Sequence, residues 1–487
     1  MKALQEWGFF GEKGMRMKYT TQQKTEMMGT GRIGSVFLVM LIPSVAAQIS
    51  NNLYNLVNRF FMGQYVGSKA LGAVSLTTPL INIMAGLSLL ITIGGAALLS
   101  MDLGRGRLTE ARKLFSNLII QAVVTSFVLA LIYFLFAPQI ILLCGADESS
   151  SLYREAVLYL RILAFGLMFQ LLNAVQASII RAEGNAAYSL AVSLIGGFVN
   201  IGLDMVFVVW LGMGVAGAAY ATVASQFISA LASTAYFFGR RSQMKWMGFG
   251  SLDLKKNLEV VRAGMAPAVL QFLSFVTGVM LNNQLRIYGD LDSVTGDTAI
   301  SAMSVVQTVE SLFTGIVMGI NQAVSPIVSY NYGAGSYQRV KQASLLAVAT
   351  GTVISFLSWA LMMFAPAELF GIFSSDEALI AYGAHAMRLY RAFAMVAGIQ
   401  TLCSMYFSSI GQSRTATVMS VLKQGAFLIP LFFILPRFWG LDGVLAAMSV
   451  SDFLSTAVIA LLYTKGIREL TRREKGRFNG EPKKQMA

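Results

Sequence analysis

The chain has 487 residues, 55% hydrophobic and only 13% charged, with a formal net charge of +13 and one histidine, His385. That composition is too apolar for a soluble domain and marks an integral membrane protein. A single histidine and two isolated cysteines, Cys144 and Cys403, exclude HExxH chemistry, a His-based triad, a disulfide framework and a zinc site.

The first thirty or so residues are polar and precede any apolar run, so no cleaved signal peptide is expected. Apolar runs of roughly 20 residues follow, each long enough to cross a bilayer as a helix. Twelve such spans are predicted, centred near residues 48, 85, 125, 167, 199, 226, 273, 314, 354, 395, 424 and 452. The expected organisation is an amino-terminal segment (1-32), a first lobe of spans 1 to 6 (33-240), a linker (241-257), a second lobe of spans 7 to 12 (258-465) and a basic tail (466-487).

Charge alternates from connector to connector. Arg105, Arg107, Arg112 and Lys113 follow span 2, Arg181 follows span 4, and Arg240, Arg241, Lys245, Lys255, Lys256 and Arg262 follow span 6. Arg339 and Lys341 follow span 8, and Arg414 follows span 10. The intervening connectors carry Asp147, Glu148, Asp290, Asp292, Asp297, Asp376 and Glu377. By the positive-inside rule both termini are expected in the cytoplasm and the chain in the plasma (inner) membrane. The basic excess then signals topology and lipid-headgroup contact rather than nucleic-acid binding.

The two halves are copies. Phe136, Ala137 and Pro138 recur as Phe364, Ala365 and Pro366, Gly104 and Gly106 as Gly333 and Gly335, and Gly214 and Gly217 as Gly440 and Gly443. Pro43 recurs as Pro267. Internal duplication is the usual build of a secondary transporter, with its binding region between the halves.

Ionisable and amide side chains at membrane depth are costly and therefore mark candidate functional positions. In chain order, Asn58 lies about 8 Å from the outer end of span 1, and Asp204 about 10 Å from the outer end of span 5. Asn200 is one turn from Asp204 on the same face, and Thr222 lies about 12 Å down span 6. One carboxylate among neutral oxygens suits a monovalent cation or a proton better than a divalent metal. Because the layer holds a single negative charge, sodium at Asp204, Asn200, Thr222 and Asn58 is expected over a proton. In the second half, Glu310, Lys423 and Asp452 all fall near the bilayer midplane, either as a structural ion pair or as a charged wall for substrate. Gln226 stands opposite Asp452 in the repeat and Gly196 opposite Lys423, so the lobes are not chemically equivalent.

Several segments carry a resemblance to a known family: NLYNLVNRFFMG at 52 to 63, RAEGN at 181 to 185, GVAGAAYATVASQ at 214 to 226, PIVSYNYGAG at 326 to 335, and Lys423 with Gln424 before Pro430. From about Arg32 to Lys465 the chain resembles the multidrug and toxic compound extrusion (MATE) family. The resemblance implies an all-α membrane protein of twelve transmembrane helices in two pseudo-symmetric six-helix lobes, facing each other across a cleft that opens alternately to either side. It implies cation-coupled export of amphipathic, often cationic compounds, with no enzymatic activity and no cofactor beyond the coupling ion. It also implies a first-lobe cation site to which Asn200, Asp204 and Thr222 match residue by residue. The family's acid on span 1 is Asn58 here, and its span 4 amide has Gln176 or Asn173 as the nearest candidates. Gln424 joins Glu310, Lys423 and Asp452 as a cleft residue. The expected partners are small organic substrates and membrane lipids, and the protein is expected to be a monomer. A lipid-linked precursor flippase of the same superfamily would place several cations in its cleft, and a major facilitator transporter would lack the YNYGA segment. No GxxxxGK[ST] loop for an ATP-driven pump occurs.

Overall fold

The structure is a computed structural model describing residues 20–478 apart from 145–147, 149, 240–241, 292–294 and 374–375. Asp147, Asp292, Arg240, Arg241, the side chain of Asp297 and the tail beyond Phe478 therefore lie outside the described residues. The described chain is nearly all helical, and eleven of its helices are long and apolar enough to cross a membrane. Spans 1 to 6 are Ile33–Phe61, Ser68–Gly104, Leu108–Leu135, Ser151–Ala182, Ala186–Asp204 and Gly214–Phe238. Spans 7 to 9 are Leu254–Gly289, Gly296–Gly333 and Tyr337–Phe364, and span 12 follows the non-helical kink at Gly440 within Pro436–Phe478. A short amino-terminal helix, Thr21–Thr30, precedes span 1.

Span 10 is the twelfth crossing, and it is broken. Glu377–Tyr390 stops at Arg391, a 3-10 turn covers Ala394–Val396, and Ala397–Ser409 resumes. Backbone freed at membrane depth must find partners within the protein. Here the Trp359 indole donates to the Ala392 carbonyl (2.8 Å), and the Ser449 hydroxyl bonds the Leu389 and Tyr390 carbonyls (2.7 and 2.9 Å). Three other segments adopt π-helical turns, which recur at functional sites: Met62–Val66 ends span 1, Met205–Trp210 follows Asp204, and Leu422–Leu428 holds Lys423 and Gln424 within span 11, between Ser413–Val421 and Ile429–Ile434.

The internal repeat has a physical basis. Gly106 and Gly335 close the connectors after spans 2 and 8 at φ of 73° and 72°, a left-handed conformation that favours glycine. Gly214 and Gly440 likewise occupy matching positions at φ of 59° and 54°. Gly104 and Gly333 instead allow the lobes to touch. A Cβ at Gly104 would meet the Tyr330 carbonyl, and one at Gly333 would meet the Met101 carbonyl. Spans 2 and 7 cross through a second reciprocal pair, Gly94 against Val260 and Gly264 against Leu90, and span 1 meets span 8 where Gly319 packs on Val45. The span 1 and span 8 contact extends to mid-depth, where the Asn52 amide donates to the Ser311 carbonyl at 3.3 Å. The glycine crossings lie toward the end that carries the basic connectors, so this conformation is sealed at its basic face.

The lobes also share a core there. Met28, Phe37 and Met40 are buried with Ile327, Leu402 and Phe407 of the second half. The linker folds back on the first lobe, where buried Glu183 accepts from the Ser242 hydroxyl (2.9 Å) and from the Gln243 and Met244 amides (2.7 and 3.2 Å). Burial pushes the Glu183 carboxyl up to about 7, against the pull of those donors.

Because the Gly264 neighbour is backbone, which cannot swing aside, Gly264→Ala is expected to lower stability by about 1–3 kcal/mol. Gly278→Ala on the same span, where an added Cβ meets nothing within 4 Å, should be close to neutral. Thermal unfolding of the two purified variants against the parent checks this, and equal losses would mean the crossing is not tight.

Candidate ion and substrate sites

The first-lobe layer can be built from three packing contacts. Spans 1 and 5 both run outward from the basic face, and a Cβ at Gly197 would lie 3.8 Å from that of Tyr54, which sets Asn58 level with the turn Asn200–Asp204. Tyr54 is also within electrostatic reach of Asp204. Span 6 returns antiparallel, with Gly217 against the Phe207 carbonyl and Ser229 against Gly196. Counting along the helices between those two contacts puts Thr222 level with the same turn.

The layer is buried and unsatisfied. Asn200 and Asp204 are 0% exposed, and Thr222 is 7% exposed. Both Asp204 carboxylate oxygens, both polar atoms of the Asn200 amide and the Asn58 carbonyl oxygen have no hydrogen-bond partner among the described residues. Thr222 donates its proton to the Ala218 carbonyl at 2.9 Å, so its lone pairs remain as acceptors. Leaving one neutral polar group unpaired costs about 1–3 kcal/mol, and a carboxylate more. Acceptors gathered around one carboxylate are a group whose burial cost a small cation or a proton can relieve.

Gln176 does not join this layer. Its amide is bonded to Thr234 (2.8 Å), which lies about 18 Å further down span 6 than Thr222. Asn173 is held by Ser233 at a similar depth. The expectation that either supplies the span 4 ligand is therefore corrected. On span 4 the bare Gly166 lies against Gln226 of span 6, whose carbonyl oxygen is buried without a partner among the described residues. Gln226 was legible in sequence as one turn from Thr222 on the same face, but only the bare Gly166 opposite shows where its oxygen goes.

In the second lobe the structure shows which of the charged groups pair. Glu310 does not pair with Lys423. Its carboxylate accepts from Arg391 Nη1 at 2.6 Å, and Lys423 Nζ lies 3.0 Å from Asp452 Oδ1. Arg391 sits at the break of span 10 and feels both acids. The result is two acids and two bases with no net charge. Asp452 and Arg391 form the closed side of this cluster, their side chains 1% and 7% exposed, whereas Glu310 and Lys423 reach 21% and 16%. Gln424 is turned away from the charges, its amide donating to Ser274 (3.1 Å) and accepting from Thr277 (3.0 Å) on span 7. Among the described residues no group of three or more His, Cys, Asp or Glu could hold a metal ion.

Comparison with known proteins agrees with this architecture. The MatE family model matches residues 43–206 and 288–434. Multidrug export protein MepA of Staphylococcus saprophyticus is 26% identical over 440 residues, 89% of this chain and 95% of its own. MepA of Staphylococcus aureus is also 26% identical over 440 residues, 89% and 94% of the two chains. The solved structure of the MATE multidrug transporter DinF-BH, in complex with a bound compound, superposes with a TM-score of 0.82 at 29% identity, over 90% of this chain and 96% of that one. A multidrug resistance MATE family transporter of the MOP superfamily in an outward-facing conformation shares the fold, with a TM-score of 0.85 at 20% identity, over 92% and 99% of the chains. The two matched segments fall on either side of the interlobe linker, as the repeat requires, and together cover most of the chain, which is therefore a member of the MatE family.

Proposed function

We propose that this chain is a secondary active multidrug exporter, driving amphipathic and often cationic compounds out of the cell in exchange for a cation moving inward. The observation that carries the reading is the unsatisfied layer around Asp204. A site whose buried carboxylate lacks a partner is stabilised by the ion it transports, and its two states, loaded and empty, can favour different lobe arrangements. Sodium is the preferred ion. A proton would neutralise Asp204 but leave the oxygens of Asn58, Asn200, Thr222 and Gln226 without a shared partner, whereas one sodium ion engages them together. The positive-inside rule supports a cytoplasmic sealed face, since that face carries the basic connectors, and in this reading the protein is a monomer in the plasma membrane. A fluorescent cationic dye is a suitable probe, since its export can be followed directly. Efflux from proteoliposomes with sodium and pH gradients imposed separately tests both ion and direction. Export that ignores sodium and follows the pH gradient reverses the ion assignment. A flippase for anionic lipid precursors is disfavoured, because Lys423 and Arg391 are each neutralised by an acid.

The absence of a second carboxylate also makes a prediction. Asn58→Asp places a second negative charge beside Asp204, where two neighbouring carboxylates raise each other's proton affinity. Sodium-driven efflux should give way to a pH-dependent component, read from the same two-gradient assay. Unchanged ion dependence would put residue 58 outside the coordination layer.

A further inference from the structure

The two most distinctive motifs of the chain, RAEGN at 181 to 185 and PIVSYNYGAG at 326 to 335, lie far from both candidate sites, on the sealed basic face. Each is occupied by the same object, the amino-terminal helix Thr21–Thr30. Its first half is bonded to the first lobe. The Thr25 hydroxyl donates to the Glu183 carbonyl at 3.0 Å and accepts from the Gln243 amide at 3.0 Å, and Lys24 reaches the Asn185 side chain at 3.3 Å. Its second half is bonded to the second lobe. The Met28 carbonyl accepts from Asn331 (2.9 Å) and Arg339 (3.0 Å), and the Gly31 carbonyl accepts from Arg339 at 2.7 Å. Met28 itself is 0% exposed in the core shared between the lobes.

From this geometry we infer that RAEGN and YNYG form a two-lobed docking seat for the helix Thr21–Thr30, and that its docking holds the cytoplasmic gate shut. This rests on the alternating-access reading above. Opening toward the cytoplasm must part the reciprocal Gly104 and Gly333 contacts, which separates the Glu183 side of the seat from the Asn331 side. A ten-residue helix bonded to both sides cannot follow both lobes. It must release one of them. Three features make it a latch rather than passive packing: its bonds divide by lobe along its length, the polar side chains Lys24 and Thr25 are only 5% and 4% exposed, and the strap joins span 1 through a non-helical residue, Gly31, at the point Arg339 grips. Each cytoplasmic opening therefore includes undocking of this helix, and its grip sets the closed-to-open ratio.

The test uses the full chain with Cys144→Ser and Cys403→Ala, reconstituted in lipid, and spin labels at Arg105→Cys and Gln338→Cys, two exposed positions on opposite lobes of the basic face. Two release variants are compared, Met28→Ala with Arg339→Gln for the second-lobe side, and Lys24→Ala with Thr25→Ala for the first-lobe side. Either should raise the ratio of long to short inter-label distances by about tenfold. Unchanged distance distributions in both overturn the inference. In a second arm, Gly29→Cys and Tyr330→Cys, adjacent across the seat, are bridged by a reductant-cleavable thiol cross-linker, which through the short link at Gly31 to span 1 ties the second lobe to the first. Efflux should fall to the leak and return on reduction, whereas efflux at the unbridged rate overturns the inference. The distance readout requires no transport, so absence of export would refute the exporter reading while still deciding the latch.

Discussion

Asp204→Asn is expected to abolish ion-driven efflux, with export falling at least about 100-fold to the passive leak, while the protein folds normally. Carboxylate and carboxamide have nearly the same shape, so the local packing is kept and only the charge is lost. With Gln226 and the other acceptors neutral, nothing else in the layer can balance a cation. The stability readout separates this from a structural role. A carboxylate with no hydrogen-bond partner at 0% exposure is a destabilising element in the ion-free protein. Its replacement should therefore leave the unfolding temperature in sodium-free buffer unchanged or raised, and should remove any stabilisation by added sodium. A variant that still exports the dye at the parent rate would mean that coupling does not run through Asp204. A variant that loses export together with stability would assign Asp204 to the scaffold.

The second large effect concerns the second lobe, where Glu310→Gln is expected to cost about 3–5 kcal/mol of stability because it strands Arg391 as an uncompensated buried charge. Glu310→Gln combined with Arg391→Gln should recover most of that loss. Glu310→Gln combined with Lys423→Gln should recover none of it, since Lys423 belongs to Asp452. Unfolding measurements on the single and double variants decide between the two pairings. Coupling of Glu310 to Lys423 instead would show that the charges exchange partners. The rescued double variant then tests substrate attraction, because stability no longer confounds it. If Glu310 is part of the cleft wall, affinity should fall for cationic dyes and hold for neutral compounds.

Much of this molecule follows from sequence alone, for reasons that act locally. Hydropathy sets where each span begins and ends, because the bilayer thickness fixes the apolar length required. The repeat, the alternation of basic connectors and the layer of Asn58, Asn200, Asp204 and Thr222 follow from helix rise and the cost of polar groups in hydrocarbon. The pairing of groups between spans does not. Arg391 lies within a stretch that reads as one apolar crossing, and only the packing of Trp359 and Ser449 shows that the helix breaks there and delivers a cation to Glu310. Gln176 has the right chemistry for a span 4 ligand but sits too far down the helix, while Gln226 enters the gap above Gly166. Rise and periodicity determine a residue's depth and face on its own helix. Which side chain stands opposite is decided by how closely two backbones approach and at what register, and in this protein the approach is governed by glycines whose neighbours lie on other helices, distant in the chain.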